Sequence, residues 1–405
     1  MLPYGRQHIS ENDIASVTAA LRGDFLTQGP VVDQFERRFA EKTGARFAVA
    51  VNNATSALQH ALRVAQVSAG DRVVTSPITF LASANCAAYV GATPDFSDID
   101  PVSYTLDPVE LEKNWKPDTR AVVAVDYAGQ ACDMPEIARI ARARRAVVIE
   151  DACHGVGGEF HARPSSRPSR IGGHPWADMT VFSFHPVKTM TTGEGGMLVT
   201  DRQQWAELAR RLRSHGVERD PARFETPDDD GVLGEKGPWF HEMQELGWNF
   251  RLTDIQAALG ISQLGRLDSF LRRRREIVAA YNVAFAGLDW LRPPGLRHAA
   301  DAATTSWHLY TVQIDFAALG KTRTQVMAEL RGAGVGSQVL YIPVHLQPWY
   351  RRTYGYGPGK CPVAESFYAH TLSLPLYPAM TDADVAHVID RVLALAPQPI
   401  LCHSL

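Results

Sequence analysis

The sequence predicts an α/β protein: one large, mostly parallel sheet of about seven strands with helices on both faces, then a smaller α+β unit. Three observations carry this. Short apolar runs recur between Phe47 and Thr200, helical periodicities lie between several of them, and the texture changes after Thr200.

Phe47–Val51, Arg72–Thr75, Pro94–Ser97, Ala121–Val125, Ala146–Ile149, Met179–Ser183 and Met197–Thr200 read as strands. Several are apolar almost throughout, which suits strands buried on both faces. Leu58, Ala61, Leu62 and Ala65 recur at helical spacing, and Ile137, Ile140 and Ala141 begin the same pattern after Met134-Pro135. Arg163–Pro175 reads as an exposed loop. Past Thr200, Gln204–Ser214 reads as helix and the polar, acidic Arg219–Gly237 as a long surface loop. Thr253-Asp254-Ile255-Gln256 has capping-box spacing and opens a helix. Arg272–Phe285 reads as another helix, with Arg272 to Arg275 as a solvated face rather than a nucleic-acid patch. Strands and helices resume with Trp307–Ile314, Arg323–Gly332 and Val335–Tyr341, before a terminal helix at Asp382–Ala396. Two domains are expected, residues 1–265 (an N-terminal arm and the large domain) and 266–405.

Composition excludes several function classes. With 41 Lys+Arg against 44 Asp+Glu the net charge is −3, without the basic bias of nucleic-acid binders. Five scattered cysteines, with no Cys-x-x-Cys pair, argue against a disulfide framework or a zinc site and for the cytoplasm. No apolar run suits a signal peptide or a membrane helix. Only seven of the 41 basic residues are lysines, so chemistry that needs a lysine amine has few candidates.

Ligands of parallel sheets sit at the carboxyl ends of the strands. After Phe47–Val51 the chain runs Asn52-Asn53-Ala54-Thr55-Ser56 into a helix, either an anion site on the positive helix end or a helix cap at Thr55 or Ser56. Asp151 leaves a buried strand, where a carboxylate needs a cationic partner: a salt bridge, or a protonated ring nitrogen. Lys188 is the only lysine in an apolar, glycine-rich context, where desolvation exposes a nucleophilic amine. His185 beside it reads as structural. A phosphate cradle, a strand-end aspartate and a buried lysine, in that order, are what pyridoxal 5′-phosphate requires.

Longer motifs carry a resemblance. Phe182-Ser183-Phe184-His185-Pro186-Val187-Lys188, with Thr191-Thr192-Gly193-Glu194-Gly195-Gly196, resembles the lysine motif of the DegT/DnrJ/EryC1/StrS sugar aminotransferases, which are fold-type I pyridoxal phosphate enzymes. The likeness extends to Phe25 through Pro30, Glu150-Asp151-Ala152-Cys153-His154, Arg213 through Gly216, Gly247-Trp248-Asn249-Phe250-Arg251 and Asp254 through Gly260. Asn53 through Leu58, Val125-Asp126-Tyr127-Ala128-Gly129 and Gln338 through His345 are similar to one branch. That branch comprises the transaminases that make UDP-4-amino-4,6-dideoxy-N-acetyl-β-L-altrosamine in pseudaminic acid synthesis. Leu340 stands where the family often has histidine, and the loop 161–175 is longer than the family's usual turn.

The resemblance implies roles by position. Lys188 would carry the cofactor as a Schiff base and shuttle protons, Asp151 would pair with the ring nitrogen, and His154 would lie near the ring hydroxyl. Phe80, otherwise a core aromatic, would stack on the ring. Ala54, Thr55 and Ser183 would hold the phosphate, and Asn249 would reach the phosphate of a neighbouring subunit. Tyr4, Phe25, Thr27 and Tyr341 would contact the sugar nucleotide. The implied reaction moves an amino group from L-glutamate to C4 of a UDP-linked 4-keto-6-deoxy sugar in a homodimer. Amination at C3, a dTDP or amino-arabinose substrate, and pyridoxamine-dependent dehydration are the alternatives. The dehydratase branch replaces the lysine with histidine.

Overall fold

The computed structural model describes residues 1–226 and 236–396. The expected surface loop 219–237 and the residue Cys402 therefore lie partly and wholly outside the described residues.

Nine strands occupy the first half of the chain: β1 (Phe47–Val51), β2 (Arg72–Thr75), β3 (Thr93–Phe96), β4 (Thr119–Val125), β5 (Val147–Asp151), β6 (Glu159–His161), β7 (Pro168–Arg170), β8 (Met179–Ser183) and β9 (Gly196–Thr200). Seven form one sheet in the order β1-β9-β8-β5-β4-β2-β3. All neighbours are parallel except those of β9, which runs antiparallel to both β1 and β8. Two reversals cancel, so β1 points the same way as β8, and the chain leaves β1, β4, β5 and β8 at one edge of the sheet.

The period-2 alternation of strand side chains builds two cores. Ala48, Ala50, Val122, Ala124, Val148 and Phe182 face one side, where Phe35 and Phe39 of the helix Pro30–Thr43 and Leu267 and Leu271 of the helix Asp254–Ala284 cover them. Val49, Val51, Ala121, Val123, Ile149 and Val181 face the other, under the helices Ala54–Val64, Ala82–Tyr89 and Gln203–Leu212.

Several expectations are corrected. The loop 163–175 contains half of the β6–β7 hairpin, and Ile171 and His174 are buried beneath it, because the sheet face needs a cover there. The two helices expected around Thr253 and Arg272 are one 31-residue helix, Asp254–Ala284, opened by the expected capping box. Its four-arginine run is not a uniform exposed face. Arg272 is exposed, whereas Arg274 is fully buried and donates to the carbonyls of Trp307, His308 and Leu376.

The C-terminal portion forms an antiparallel sheet of Leu291–Arg292, Tyr310–Ile314 and Thr371–Leu374 around its own core. The second half of the long helix joins that core through Ile277, Val278, Tyr281 and Phe285. Residue 265/266, the expected division, falls inside this helix. Val335–Tyr341 is neither strand nor helix; single bridges, Leu2 to Val335 and Gln338 to Ser373, hold it. The N-terminal arm thus joins the C-terminal unit, with Tyr4 carbonyl accepting from Leu376 N–H.

Candidate active site

A cavity of about 550 Å³ opens where β1, β4, β5 and β8 end. Tyr4, Ala54, Thr55, Phe80, Asp151, His154, Ser183, Lys188 and Tyr341, each singled out from sequence, all line it, as does His185.

Neither Thr55 nor Ser56 caps the helix Ala54–Val64. Asn53 does, its Oδ1 accepting from Ser56 N–H at 2.9 Å. The first-turn N–H groups of Ala54 and Thr55, which have no helical acceptor, therefore sit at the cavity wall on the positive helix end. Gly196 permits this approach: a Cβ there would lie 2.5 Å from the Asn53 carbonyl carbon.

Asp151 ends β5 and is buried. Its Oδ2 accepts from Ser83 Oγ at 2.6 Å and its Oδ1 from Cys153 N–H at 3.2 Å, two donors that fix the carboxyl group in place. Ser83 Oγ is also 2.6 Å from Thr79 Oγ1. With the Ser83 proton committed to Asp151, Thr79 is the donor to Ser83.

Lys188 opens onto the cavity but is ringed by protein. This desolvation holds its amine below the ordinary lysine range, partly offset by Cys153 and Asp151. Among the described residues the amine has no hydrogen-bonded or ionic partner.

His154 is buried, and its Nδ1 accepts from the N–H of Ala128 at 3.2 Å. A neutral ring must then carry its proton on Nε2, which lies 3.3 Å from the Tyr341 hydroxyl. Burial, and next the charge of Lys188, hold His154 well below the usual histidine range, so the ring is neutral. Tyr341 stacks on it at 6.2 Å and 24°, and burial pushes that phenol well above its ordinary value. The Ala128 N–H is aimed by a tight turn with Ala128 at φ 58° and Gly129 at φ 100°. A Cβ on Gly129 would strike Ser306 Oγ at 2.6 Å, so glycine is required there.

Three expected residues lie elsewhere in the chain. Phe25 is exposed, Thr27 bridges to Thr253, and Asn249 bridges to Ser214, with its neighbours Trp248 and Phe250 stacked on each other. Sequence reasoning missed Ser83, Thr79 and His308, whose ring is 4.4 Å from His154. Ser83 lies 68 residues before Asp151, and no periodicity in the sequence marks the pair.

The profile of the DegT/DnrJ/EryC1/StrS aminotransferase family matches residues 7–393. The chain belongs to that family. The spore coat polysaccharide biosynthesis protein SpsC of Bacillus subtilis is 40% identical over 392 residues, 96% of each chain. The structure of Helicobacter pylori PseC, an aminotransferase involved in the biosynthesis of pseudoaminic acid, superposes with a TM-score of 0.85 at 28% identity, covering 97% of this chain and 98% of that one. The structure of Spr1654 from Streptococcus pneumoniae, solved in its PMP form, reaches 0.86 at 29% identity, with 98% and 99% covered.

This DegT-family member is a sugar aminotransferase that uses pyridoxal 5′-phosphate. The cavity fits that group. A free helix N-terminus suits a phosphate, a carboxylate fixed by two donors suits a protonated ring nitrogen, and an unpartnered desolvated amine suits an aldehyde. Among the described residues, no helix is long and apolar enough to cross a membrane.

Proposed function

We propose that this enzyme transfers an amino group from L-glutamate to C4 of a UDP-linked 4-keto-6-deoxy-N-acetylhexosamine, in the cytoplasm and as a homodimer. The observation that carries the reading is the convergence of Lys188, Asp151 and the Ala54–Thr55 helix end on one cavity. The similarity to PseC along 97% of the chain supports the pseudaminic acid branch.

When bound, pyridoxal 5′-phosphate supplies an aldehyde that condenses with amines and a ring that withdraws electrons from the adjacent carbon. Ala54, Thr55 and Ser183 bind its phosphate. Asp151, oriented by Ser83 and the Cys153 N–H, holds a proton on the ring nitrogen. Lys188 would hold the aldehyde carbon. As a free amine of lowered proton affinity, it takes the proton from the donor's α-carbon and later delivers one to C4 of the sugar. His154 would meet the ring hydroxyl and Phe80 would pack against the ring. Tyr4 and Tyr341 orient the sugar nucleotide within the cavity, which Phe25 and Thr27 of the same chain do not line. Asn249 completes the phosphate site of the neighbouring subunit. The 57% exposure of Phe25 on this chain is what a covering partner subunit would explain.

Two measurements test the reading. Lys188→Ala should abolish both transamination and the visible absorbance of the lysine-bound cofactor; retention of either overturns the mechanism. The parent enzyme, given glutamate and a panel of UDP- and dTDP-keto sugars, should aminate the UDP-4-keto-6-deoxy-N-acetylhexosamine, identified by mass and NMR. Exclusive dTDP-sugar products would sink the branch assignment.

A further inference from the structure

Beside Asp151, three titratable side chains shut away from water meet: Asp126, Glu150 and His174. Strand pairing brings them together, since β4 and β5 align Ala124 with Glu150 and Val125 with Asp151, and Asp126 N–H donates to the Asp151 carbonyl at 3.1 Å. None has a part in the transamination described above.

Their hydrogen bonds are unequally shared. Glu150 accepts from His174 Nε2 at 2.9 Å, Thr180 Oγ1 at 2.8 Å and Gly172 N–H at 3.2 Å. His174 Nδ1 itself accepts from Trp176 N–H at 3.3 Å, so its single ring proton is the one on Nε2 and the ring is neutral. Asp126 has one donor, Cys132 N–H at 3.2 Å on Oδ1. Its Oδ2 is fully buried without a donor and lies against Gly155, where a Cβ would be 3.1 Å away. β4 and β5 set Ala124 opposite Glu150, so Asp126, two residues on from Ala124, lies on the same side of the sheet as the Glu150 carboxylate. Two acceptors facing each other out of water need one proton between them. Glu150, with three donors already, is the better-stabilised anion.

We propose that Asp126 is a carboxylic acid in the folded enzyme, its Oδ2–H donating to Glu150, and that this neutral side chain spares Asp151 a second negative neighbour. Asp126 is then a positioning residue. Burial, followed by the charges of Glu150 and then Asp151, pushes its carboxyl well above the usual range. The other titratable groups around it are Cys132 and Cys153. Arg297, whose charge reaches Cys132, is paired with Asp133 at 2.9 Å.

The part concerning Asp151 rests on its proposed pairing with the cofactor, so the test has two separate readouts on the holoenzyme. Infrared spectra at about pH 8 should contain a carboxylic-acid carbonyl band that moves when the parent is grown with carboxyl-¹³C aspartate. The band should vanish in Asp126→Asn, whose amide keeps a neutral donor toward Glu150. The pH midpoint of the bound cofactor's visible band should then stay within about 0.2 units of the parent. In Glu150→Gln the new amide donates to Asp126, which ionises. There the acid band should be lost as well. No aspartate acid band in the labelled parent overturns the proposal, whatever the variants do. A band accompanied by a full-unit fall of the midpoint in Asp126→Asn overturns the link to Asp151. A parent without any visible cofactor band refutes the reading of the site instead, and the infrared result still judges Asp126.

Discussion

Ser83 is the residue whose role is least visible in the sequence and most exposed to test. It donates to Asp151 at 2.6 Å inside the core, a charge-assisted bond of the kind worth about 1.5–3 kcal/mol. Ser83→Ala should therefore weaken cofactor retention by roughly tenfold or more, read by equilibrium dialysis against the visible band. Unchanged retention would show that the Cys153 N–H orients Asp151 without help. His60 offers a pH test. Packed 5.5 Å from Trp248 and 5.1 Å from Phe250, it is held at about 4 chiefly by burial. Its folded value lies below the unfolded 6.5, so between the two the unfolded chain binds more protons. Stability from this group is complete above 6.5 and drains away as pH falls toward 4. Between about pH 7 and 5 the loss is about 2 kcal/mol, and His60→Leu should remove that part of the pH slope in denaturant titrations. A slope identical to the parent's would place the titration elsewhere, on His154 and His308, which burial also holds low. Lys188, Asp151 and the Asn53–Ser56 segment were legible because residue type and position at a strand exit suffice to mark them. Ser83 was not, because its function is a contact across 68 residues of chain, and Thr79 acts only through Ser83.

At the scale of elements, the seven strands of the sheet could be read because burial on both faces leaves an apolar run that polar surroundings delimit. The errors share one cause: a local rule overridden by packing. The arginines of the long helix are the plainest instance. Arg274 donates to three carbonyls with no exposure, tying the helix to residues 307–308 and to Leu376. Arg274→Ala would leave these carbonyls without a donor, and denaturation should report a loss of about 3 kcal/mol or more. Arg272→Ala, two residues away and exposed, should change stability by no more than about 0.5 kcal/mol. Equal effects would mean that the helix surface is solvated as its charge pattern suggests. The helix cap was likewise misplaced by local reading. Thr55 and Ser56 have the right chemistry, but Asn53 occupies the extended backbone position, at φ −168° and ψ 167°, from which a side chain reaches the first turn.

For the whole molecule, the proposed sharing of sites between subunits makes a quantitative prediction. Lys188→Ala and Asn249→Ala variants should each be nearly inactive alone. Mixed and allowed to exchange subunits, they should regain about a quarter of parental activity, because half the dimers are mixed and one of their two sites is intact. No recovery, with subunit exchange shown by mass, would end the shared-site proposal. From the sequence by itself come the α/β class, the strand positions, the family resemblance and the lysine and aspartate at the strand exits. These depend on short-range pattern and residue chemistry, which a linear string preserves. The tertiary structure alone decided that two reversals around β9 bring four strand exits to one edge and that the long helix serves both cores. It alone decided, too, that Ser83 reaches Asp151 while Asp126 faces Glu150. Each of these is a meeting of distant segments, set by which buried surfaces and polar groups must satisfy one another in three dimensions.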